Sequence, residues 1–446
     1  MADIFKAYDI RGIYPDELDE ELMEKIGRAF GDFIEGKKIA VGYDARISSP
    51  SLFGAFTKGL VMQGKDVIDF GLTSTPMSYF ACNYLKADGC AMITASHNPK
   101  EYNGVKFTRK KAMPISGDTG IKQIEENVRK NNLKKVKERG TIIKKDVKEA
   151  YKEHLKKLIK NIKGLKVVVD PGNGMGSQDY SLVMDLIDVE TIPLYFRIDG
   201  TYPNHDANPM TEGAMDKLKG TVVCRKADLG IAFDGDADRV FFVDDKGEAV
   251  QSDFITALIA EEVLKDNKGA NILYDLRSSW IVPEKIKELS GVPKMCRVGH
   301  SFIKESMKNC DSPFAGELSG HFYFRFDFGS HDSVYDSGIV TAIRIMNLLS
   351  SKKKKLSELI KPMKKYFASG EINSKVSDKD KKMKELAEHY KEGEISWLDG
   401  IRVDFKDWWF NVRPSNTEPL LRLNLEAKTK KLMEAKKEEV LNIIKS

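Results

Sequence analysis

The feature that most constrains the fold is a repeated alternation of two kinds of segment. Short apolar runs, each ending in Gly, Asp, Ser or Pro, alternate with longer segments whose apolar residues recur at helical spacing. This alternation is typical of α/β units, in which buried strands deliver polar loops and helices connect the strands. In the first third of the chain we predict strands in KKIAVGYDAR, KDVIDFGLTSTP and DGCAMITASHNP, and helices in ELMEKIGRAFGDFI and SLFGAFTKGLVMQ.

The alternation restarts twice, which predicts three related α/β blocks. The second block begins at LKVVVDPGNGMG and the third at GANILYDLRSS, although the blocks are not close sequence repeats. A lysine-rich stretch between about residues 121 and 163 carries charges of both signs, and we interpret it as exposed helix and a domain junction.

The end of the chain has a different pattern. In IRVDFKDWWFNV and LLRLNLEAK, apolar residues alternate with polar ones at strict period two. Such alternation indicates antiparallel strands with one face on the core and the other on solvent. The last ~80 residues are therefore predicted to form a smaller α+β domain.

Composition limits the classes of function. The chain has 446 residues, 41% of them hydrophobic and 31% charged, which is typical of a globular protein of several domains. A net charge of +5 is too small to favour a nucleic-acid binder but fits a site for anions. The five cysteines form no CxxC pair, and no run of ~18 apolar residues occurs, so we expect a cytoplasmic protein with no membrane span.

Three carboxylates are crowded into the segment FDGDADRVFFVDD. Asp234, Asp236 and Asp238 would repel one another by roughly 4 kcal/mol per close pair at an effective dielectric of about 20, so a positive group is expected among them. Mg²⁺ prefers such oxygen ligands. An EF-hand does not fit, because Arg239 stands where that loop needs Gly and Asp245 where it needs Glu. A solvated acidic turn is the alternative.

Three further loops carry candidate chemistry. The segment TASHNPKEYNGVKF places a hydroxyl beside an imidazole at the end of a predicted strand, where a nucleophile or phosphoryl carrier is expected in α/β folds. A Ser-His hydrolase fits poorly, because the GxSxG elbow is missing. GELSGH could bind sugar hydroxyls, and RPSNTEP offers a guanidinium, hydroxyls and an amide to a phosphate dianion. Ordinary polar turns are the alternative for each.

Taken together and in this order, KAYDIRG, TASHNPKEYNGVKF, DGDADR, GELSGH and RPSNTEP resemble the α-D-phosphohexomutase superfamily, in its phosphomannomutase/phosphoglucomutase branch. The resemblance spans the chain. It implies four domains around a central cleft in a heart-like arrangement: three similar mixed α/β domains and a C-terminal α+β domain of the TATA-box-binding-protein-like class. We place them at residues 1–150, 151–252, 253–366 and 367–446.

The resemblance also implies a reaction. Ser96 would carry a phosphoryl group next to Mg²⁺ held by Ser96, Asp234, Asp236 and Asp238, and would exchange it with a hexose phosphate through a hexose 1,6-bisphosphate. The product would be the 6-phosphate of mannose or glucose from the 1-phosphate, or the reverse. The enzyme would be a monomer or a homodimer.

The implied site residues fall into two groups. The transfer site would contain Arg11, His97, Lys106, Arg239 and His321, with Lys106 and His321 as candidates for general acid or base. The substrate would be bound by Tyr8, Arg277, His300, Glu317, Ser319, His321, Arg413, Ser415, Asn416 and Thr417. In this set Glu317 and Ser319 would hold the 3- and 4-hydroxyls, and the RPSNTEP loop would hold the phosphate that does not react.

Three alternatives remain. A phosphoglucosamine mutase usually has Gln where this chain has Leu318, and a phosphatase of the haloacid-dehalogenase type would need Thr or Val where Ala237 stands. A sugar-phosphate-binding protein without activity is the third alternative.

Overall fold

The computed structural model describes residues 4–130, 133–415 and 420–446. These residues form two compact units. The first unit comprises Met1–Gln251 and Ser319–Ser357, and the second comprises Ser252–Leu318 and Glu358–Ser446. None of the helices in the described parts of the chain is long and apolar enough to cross a membrane.

The first sheet begins the first unit and contains the three strands predicted from the opening segments. Its strand order is β1-β5-β4-β2-β3-β7, with β6 paired to β5. The pairs among β4, β2, β3 and β7 are parallel, whereas β5 runs antiparallel to β4 and β1. The strands are β1 (Ile10–Ile13), β2 (Lys38–Tyr43), β3 (Asp66–Leu72), β4 (Gly89–Ile93), β5 (Tyr102–Arg109), β6 (Met113–Pro114) and β7 (Ile142–Lys144).

Four helices accompany this sheet: α1 (Glu20–Phe33), α2 (Ser49–Met62), α3 (Thr75–Tyr84) and α4 (Lys122–Lys130). Helix α1 begins where the Asp19 side chain accepts a hydrogen bond from the backbone N–H of Leu22, and its buried Met23, Ile26 and Phe30 lie on one face. The lysine-rich stretch contributes the exposed strand β7 to the sheet edge, besides the helices that its spacing predicted.

The second sheet has the order β12-β11-β10-β8-β9, with β8 parallel to both β10 and β9. The helices around it are α5 (Lys148–Lys156), α6 (Gly176–Met184) and α7 (Asp216–Arg225), and the strands are β8 (Lys163–Asp170), β9 (Asp188–Pro193), β10 (Leu229–Phe233), β11 (Val240–Val243) and β12 (Ala249–Val250). Strand β10 is buried along its whole length, as expected for a strand covered on both faces.

The second unit begins with another α/β segment. Strands β14, β13 and β15 lie side by side and are parallel. The elements are α8 (Ser252–Asp266), β13 (Asn271–Asp275), α9 (Ile281–Glu288), β14 (Val292–Cys296), α10 (His300–Asn309) and β15 (Phe314–Gly316). The chain then returns to the first unit with the hairpin β16 (Phe322–Asp327) and β17 (Asp332–Asp336) and with α11 (Gly338–Lys352), and the short α12 (Leu356–Ile360) contains the next boundary.

The rest of the second unit is an antiparallel sheet with two helices, as the period-two pattern predicted. The order is β18-β23-β22-β21-β20, and β19 also pairs with β23. The elements are β18 (Phe367–Ala368), β19 (Ile372–Lys375), α13 (Lys379–His389), β20 (Glu394–Ser396), β21 (Ile401–Asp404), β22 (Trp408–Pro414), β23 (Leu420–Ala427) and α14 (Lys430–Lys445).

The prediction that the polar face of this sheet would meet solvent is wrong over its centre. Arg402 and Glu426 occupy polar positions of the alternation, yet each is only 2% exposed. Glu426 accepts a hydrogen bond from the backbone N–H of Trp280 at 3.0 Å, and Arg402 donates one to the carbonyl of Leu276. These two polar side chains face the α/β part of the same unit, so their charged groups are hydrogen-bonded to protein rather than hydrated.

Candidate active site

The loop between β4 and β5 holds Ser96 in a fixed, buried position. Ser96 is 1% exposed, and its φ of 52° lies in the left-handed region, which costs a non-glycine residue roughly 1–3 kcal/mol. Its backbone N–H donates to Thr94 Oγ1 at 2.8 Å, and Thr94 Oγ1 in turn donates to Asp44 Oδ2 at 2.7 Å. The surrounding contacts therefore hold the serine in a conformation that it would otherwise avoid.

The acidic loop between β10 and β11 meets this serine. Asp234, Asp236 and Asp238 are at most 2% exposed and present carboxylate oxygens that all lie within 4.8 Å of one another. Ser96 Oγ donates a hydrogen bond to Asp234 Oδ2 at 2.9 Å. Two of the loops in which the sequence places candidate chemistry are thus in direct contact.

Lys106 on β5 supplies a positive charge inside the acidic cluster. Its Nζ lies 2.7 Å from Asp236 Oδ2 and 2.5 Å from Asp238 Oδ2. Burial alone would lower the pKa of Lys106, but the attraction of Asp236 and Asp238 outweighs it and raises that pKa above its ordinary value. Burial, together with the neighbouring carboxylates, raises the pKa of Asp234, whereas Lys106 and His321 overcome burial and hold the pKa of Asp238 low.

The cluster also fits a divalent metal ion. Three carboxylates and the adjoining Ser96 hydroxyl are a set of hard oxygen donors of the kind that Mg²⁺ prefers. Asp236 Oδ1 is buried and accepts no hydrogen bond from the residues that the structure describes, so this oxygen has capacity for a ligand. Thr75 Oγ1 fixes the other oxygen of the same carboxylate from a distance of 2.6 Å.

His321 and Arg239 adjoin the acidic loop. The two residues form an isolated antiparallel bridge, and His321 Nε2 lies 3.4 Å from Asp238 Oδ1 and 3.7 Å from Asp336 Oδ2. The other ring nitrogen of His321 is 3.0 Å from Ser319 Oγ. The imidazole is therefore within reach of the carboxylate cluster, with both of its nitrogens in polar contact.

Arg11 on β1 reaches the Ser96 loop from another side. Its guanidinium donates to Asn98 Oδ1 at 2.5 Å and to the carbonyl of Ala95 at 3.2 Å, and it pairs with Asp9 at 2.7 Å.

His97 Nδ1 lies 3.2 Å from Ser96 Oγ. Burial, followed by the charges of Arg239 and Arg11, lowers the pKa of His97 well below its ordinary value, which keeps this imidazole neutral. Tyr8 is half-buried just before β1.

The second unit holds Arg277, His300, Glu317, Arg413 and Ser415 of the residues expected to bind substrate, whereas Tyr8, Ser319 and His321 belong to the first unit. Arg277 follows β13 and contacts Asp275 at 2.9 Å and Glu317 at 3.3 Å. His300 is the first residue of α10. Asp275 also accepts a hydrogen bond from the backbone N–H of Leu318 at 2.7 Å, so it fixes the loop that carries Glu317.

Arg413 and Ser415 lie at the end of β22 and in the loop after it. Glu371 joins Arg413 at 3.2 Å, Arg422 at 3.3 Å and Arg277 at 3.7 Å. Burial raises the pKa of Glu371, but the three arginines overcome it and lower that pKa below its ordinary value. The predicted site residues Asn416 and Thr417 lie outside the described residues.

Sequence reasoning missed several residues that contact the transfer site or the substrate-binding residues. Asp44 and Arg46 follow β2, at the same sheet edge as Ser96, and the polar segment GYDAR at the end of a predicted strand was their only local signal. Thr75 begins α3 and contacts Asp236 across 161 residues of sequence, which no local pattern reveals. Glu371 has no motif around it.

Family profiles match the chain in four consecutive segments. They are described as phosphoglucomutase/phosphomannomutase α/β/α domain I over residues 2–135, domain II over residues 149–247, domain III over residues 251–366 and the C-terminal domain over residues 371–443. The chain belongs to the phosphoglucomutase/phosphomannomutase family. This membership confirms the fold class predicted from the sequence: three mixed α/β domains and a C-terminal domain with an antiparallel sheet.

Several members of this family are similar to the chain over almost their whole length. The chain is 40% identical to the phosphomannomutase of Escherichia coli K12, covering 99% of this chain and 98% of that protein. It is also 40% identical to the phosphomannomutase of Methanocaldococcus jannaschii, with 99% and 97% covered. A phosphoglucomutase/phosphomannomutase family protein of Burkholderia thailandensis has the same fold, with a TM-score of 0.91, 32% identity, and 99% and 96% covered.

A more distant relative shares the fold alone. The N-acetylphosphoglucosamine mutase of Aspergillus fumigatus, solved with GlcNAc-6P and magnesium, superposes with a TM-score of 0.62 at 13% identity, over 98% of this chain and 94% of that one. Membership of the phosphoglucomutase/phosphomannomutase family makes this chain an enzyme, an isomerase that acts as an intramolecular phosphotransferase.

Proposed function

We propose that the enzyme interconverts the 1- and 6-phosphates of mannose and of glucose, with phosphorylated Ser96 as the phosphoryl carrier. The contact between Ser96 Oγ and Asp234 Oδ2, at 2.9 Å within a buried cluster of three carboxylates and one lysine, is the observation that carries this proposal. The buried Ser96 hydroxyl adjoins the carboxylate oxygens and the lysine cation that would support phosphoryl transfer.

The reaction consists of two transfers in opposite directions. Phosphoserine 96 gives its phosphoryl group to the free 6-hydroxyl of a hexose 1-phosphate, so the Ser96 O–P bond breaks and a sugar O–P bond forms. A base takes the proton of the 6-hydroxyl, and Ser96 Oγ takes up a proton as it leaves. The hexose 1,6-bisphosphate then presents its other end, and Ser96 Oγ loses its proton and accepts the 1-phosphoryl group. The bond between phosphorus and the sugar 1-oxygen breaks, and this oxygen takes up a proton, which releases the 6-phosphate. Water must be kept out, because it would hydrolyse phosphoserine.

The charges around Ser96 support phosphoryl transfer at this residue. Lys106 stays cationic beside Asp236 and Asp238, so it stabilises negative charge on the transferred group. Arg239 and Arg11 add positive charge near the Ser96 loop, and His321 is our candidate for the proton transfer. Mg²⁺, held by Asp234, Asp236, Asp238 and Ser96, would neutralise charge on the phosphoryl oxygens.

We assign substrate binding to the GELSGH and RPSNTEP loops, as the family resemblance implies. Glu317 and Ser319 would hold the 3- and 4-hydroxyls, and Arg413, Ser415, Asn416 and Thr417 would hold the phosphate that does not react. The pairing of Glu371 with Arg413 and Arg422 supports an anion site at this place, because one carboxylate already occupies their donors. Tyr8, Arg277 and His300 complete the proposed substrate contacts.

The organisation of the molecule follows from the same proposal. We place the domain boundaries at residues 1–150, 151–252, 253–366 and 367–446. We also propose a cytoplasmic enzyme that acts as a monomer or homodimer and needs a hexose 1,6-bisphosphate as primer.

The test measures conversion of glucose 1-phosphate, mannose 1-phosphate and glucosamine 1-phosphate to their 6-phosphates, with Mg²⁺ and glucose 1,6-bisphosphate. We expect turnover of the first two, a loss of several orders of magnitude in Ser96→Ala, and wild-type turnover in the control Ser181→Ala, whose serine is exposed on α6. Intact mass should show one phosphate on the wild type and none on Ser96→Ala. Turnover of glucosamine 1-phosphate alone, or release of inorganic phosphate without isomerisation, would contradict the proposal.

A further inference from the structure

Arg46 is buried directly beneath the Ser96 loop. It is 1% exposed, and its guanidinium donates four hydrogen bonds to backbone carbonyls of the chain around the serine. Nη2 donates to the carbonyls of Ser96 at 2.8 Å and Asn98 at 2.7 Å. Nη1 donates to the carbonyls of Pro99 at 2.7 Å and Tyr102 at 2.9 Å. One side chain thus fixes both ends of the segment that follows the nucleophile.

Only arginine fits this position. The four carbonyls converge on a planar group with donors on two nitrogens, and the ammonium of lysine has at most three donors around a single atom. Arg46 Nε lies 3.3 Å from Asp44 Oδ2, and Asp44 also accepts hydrogen bonds from Thr94 and Ser49. The guanidinium charge is therefore paired, and the Asp44 carboxylate links it to the hydroxyl that binds the Ser96 N–H.

The second α/β domain packs against both Arg46 and the Ser96 carbonyl. The ring of Tyr202 lies with its centroid 5.5 Å from the Arg46 guanidinium carbon, and Gly200 forms a parallel bridge with Arg46. A side chain at Gly235 would come within 2.6 Å of the Ser96 carbonyl oxygen, which shows how closely the acidic loop packs against the serine. This close packing restricts movement of the Ser96 carbonyl toward Gly235.

We propose that Arg46 is the positioning residue of the phosphoryl carrier: it holds the Ser96 backbone in its left-handed conformation so that Oγ stays directed at Asp234. This inference rests on the proposed function of Ser96. Arg46 contacts no substrate in this role, because its guanidinium donates to backbone carbonyls and pairs with Asp44. Loss of Arg46 displaces the nucleophile, and a displacement of about 1 Å costs roughly 100-fold in rate.

The experiment compares Arg46→Ala and Arg46→Lys with the full-length wild type by kcat, KM for glucose 1-phosphate, and phosphorylation of Ser96 measured by intact mass. We expect kcat to fall by about 100-fold in Arg46→Ala with KM changed by less than about threefold, because a misplaced nucleophile affects the chemical step. Arg46→Lys keeps a cation beside Asp44, so we expect it to fold, yet it should also lose at least about tenfold in kcat.

Chemical rescue separates positioning from a general loss of structure. Guanidinium at concentrations far below those that denature should raise kcat of Arg46→Ala, since it restores the planar donors, whereas urea should not. The matched control is Arg402→Ala, which removes another arginine that is 2% exposed and donates to a backbone carbonyl, but in the other unit. Its kcat should stay close to that of the wild type and should not respond to guanidinium.

Several results would overturn the inference. Wild-type kcat in Arg46→Lys would do so, as would a loss in Arg46→Ala that guanidinium does not relieve. If the wild type itself neither takes up phosphate on Ser96 nor isomerises the sugar, the proposed function fails together with the inference. Normal wild-type turnover combined with unimpaired Arg46 variants refutes the role of Arg46 alone.

Discussion

Asp179 on α6 gives the chain a pH dependence of stability that can be worked out from its surroundings. The side chain is fully buried. Burial raises the pKa of Asp179 from 3.8 to about 8, and it outweighs a hydrogen bond with Ser74 that acts in the opposite direction. The carboxyl is therefore neutral in the folded protein at neutral pH, whereas it is ionised in the unfolded chain.

Proton linkage determines whether the free energy of unfolding rises or falls with pH. The folded state keeps this proton to a higher pH than the unfolded state, so the stability due to Asp179 is fully present below about pH 3.8 and is lost as the pH rises through about 8. Each pH unit in that window lowers the free energy of unfolding by about 1.4 kcal/mol. Between about pH 5 and pH 8 the loss amounts to roughly 3–4 kcal/mol.

Asp179→Asn keeps the shape of the side chain and removes the ionisation. We expect the variant to gain roughly 3–4 kcal/mol relative to the wild type between about pH 5 and pH 8, measured by urea unfolding at each pH. Hydrogen exchange of the α6 amides gives the same comparison locally. The control Asp185→Asn changes an exposed carboxyl at the end of the same helix and should leave the pH profile unchanged. Parallel profiles for Asp179→Asn and the wild type would refute the reasoning.

Two further substitutions test close contacts described above. Gly235→Ala should abolish phosphorylation of Ser96, because the new Cβ would lie 2.6 Å from the Ser96 carbonyl oxygen. The control is Gly220→Ala, whose new Cβ would lie in open space on a helix. This variant should retain phosphorylation of Ser96, and its helix should stabilise the protein by about 1 kcal/mol. Phosphorylation in Gly235→Ala at the wild-type rate would contradict the first expectation. Glu371→Gln should lower the Kd for inorganic phosphate several-fold in calorimetric titration, because the carboxylate no longer competes for Arg413; an unchanged Kd would count against an anion site there.

Much of the fold was predictable because the strands and helices of α/β units have local sequence patterns. Strands β2, β3 and β4 were recognised from apolar runs that end in polar residues, and the same rule located the loops of Ser96 and Asp234. Each of these two side chains follows a buried strand of a different sheet, and their contact was expected from the family resemblance.

The residues that sequence reasoning missed act through long-range contacts. Thr75 and Asp236 are 161 positions apart, and Arg46 and Ser96 are 50 apart, so neither pairing leaves a local pattern. Period two correctly grouped Arg402 and Glu426 on one face of the C-terminal sheet. It could not predict what covers that face, because alternation reports which side chains lie together and not which partner they meet.

The left-handed backbone at residue 96 also restricts which amino acid can occupy the position. Threonine has a hydroxyl of similar chemistry, but its branched Cβ makes a φ of 52° far more costly than it is for serine. Ser96→Thr would therefore either leave the left-handed region or lose the packing against Gly235. The choice of serine over threonine at this position is thus set by the shape of the main chain before any chemistry of the hydroxyl is considered.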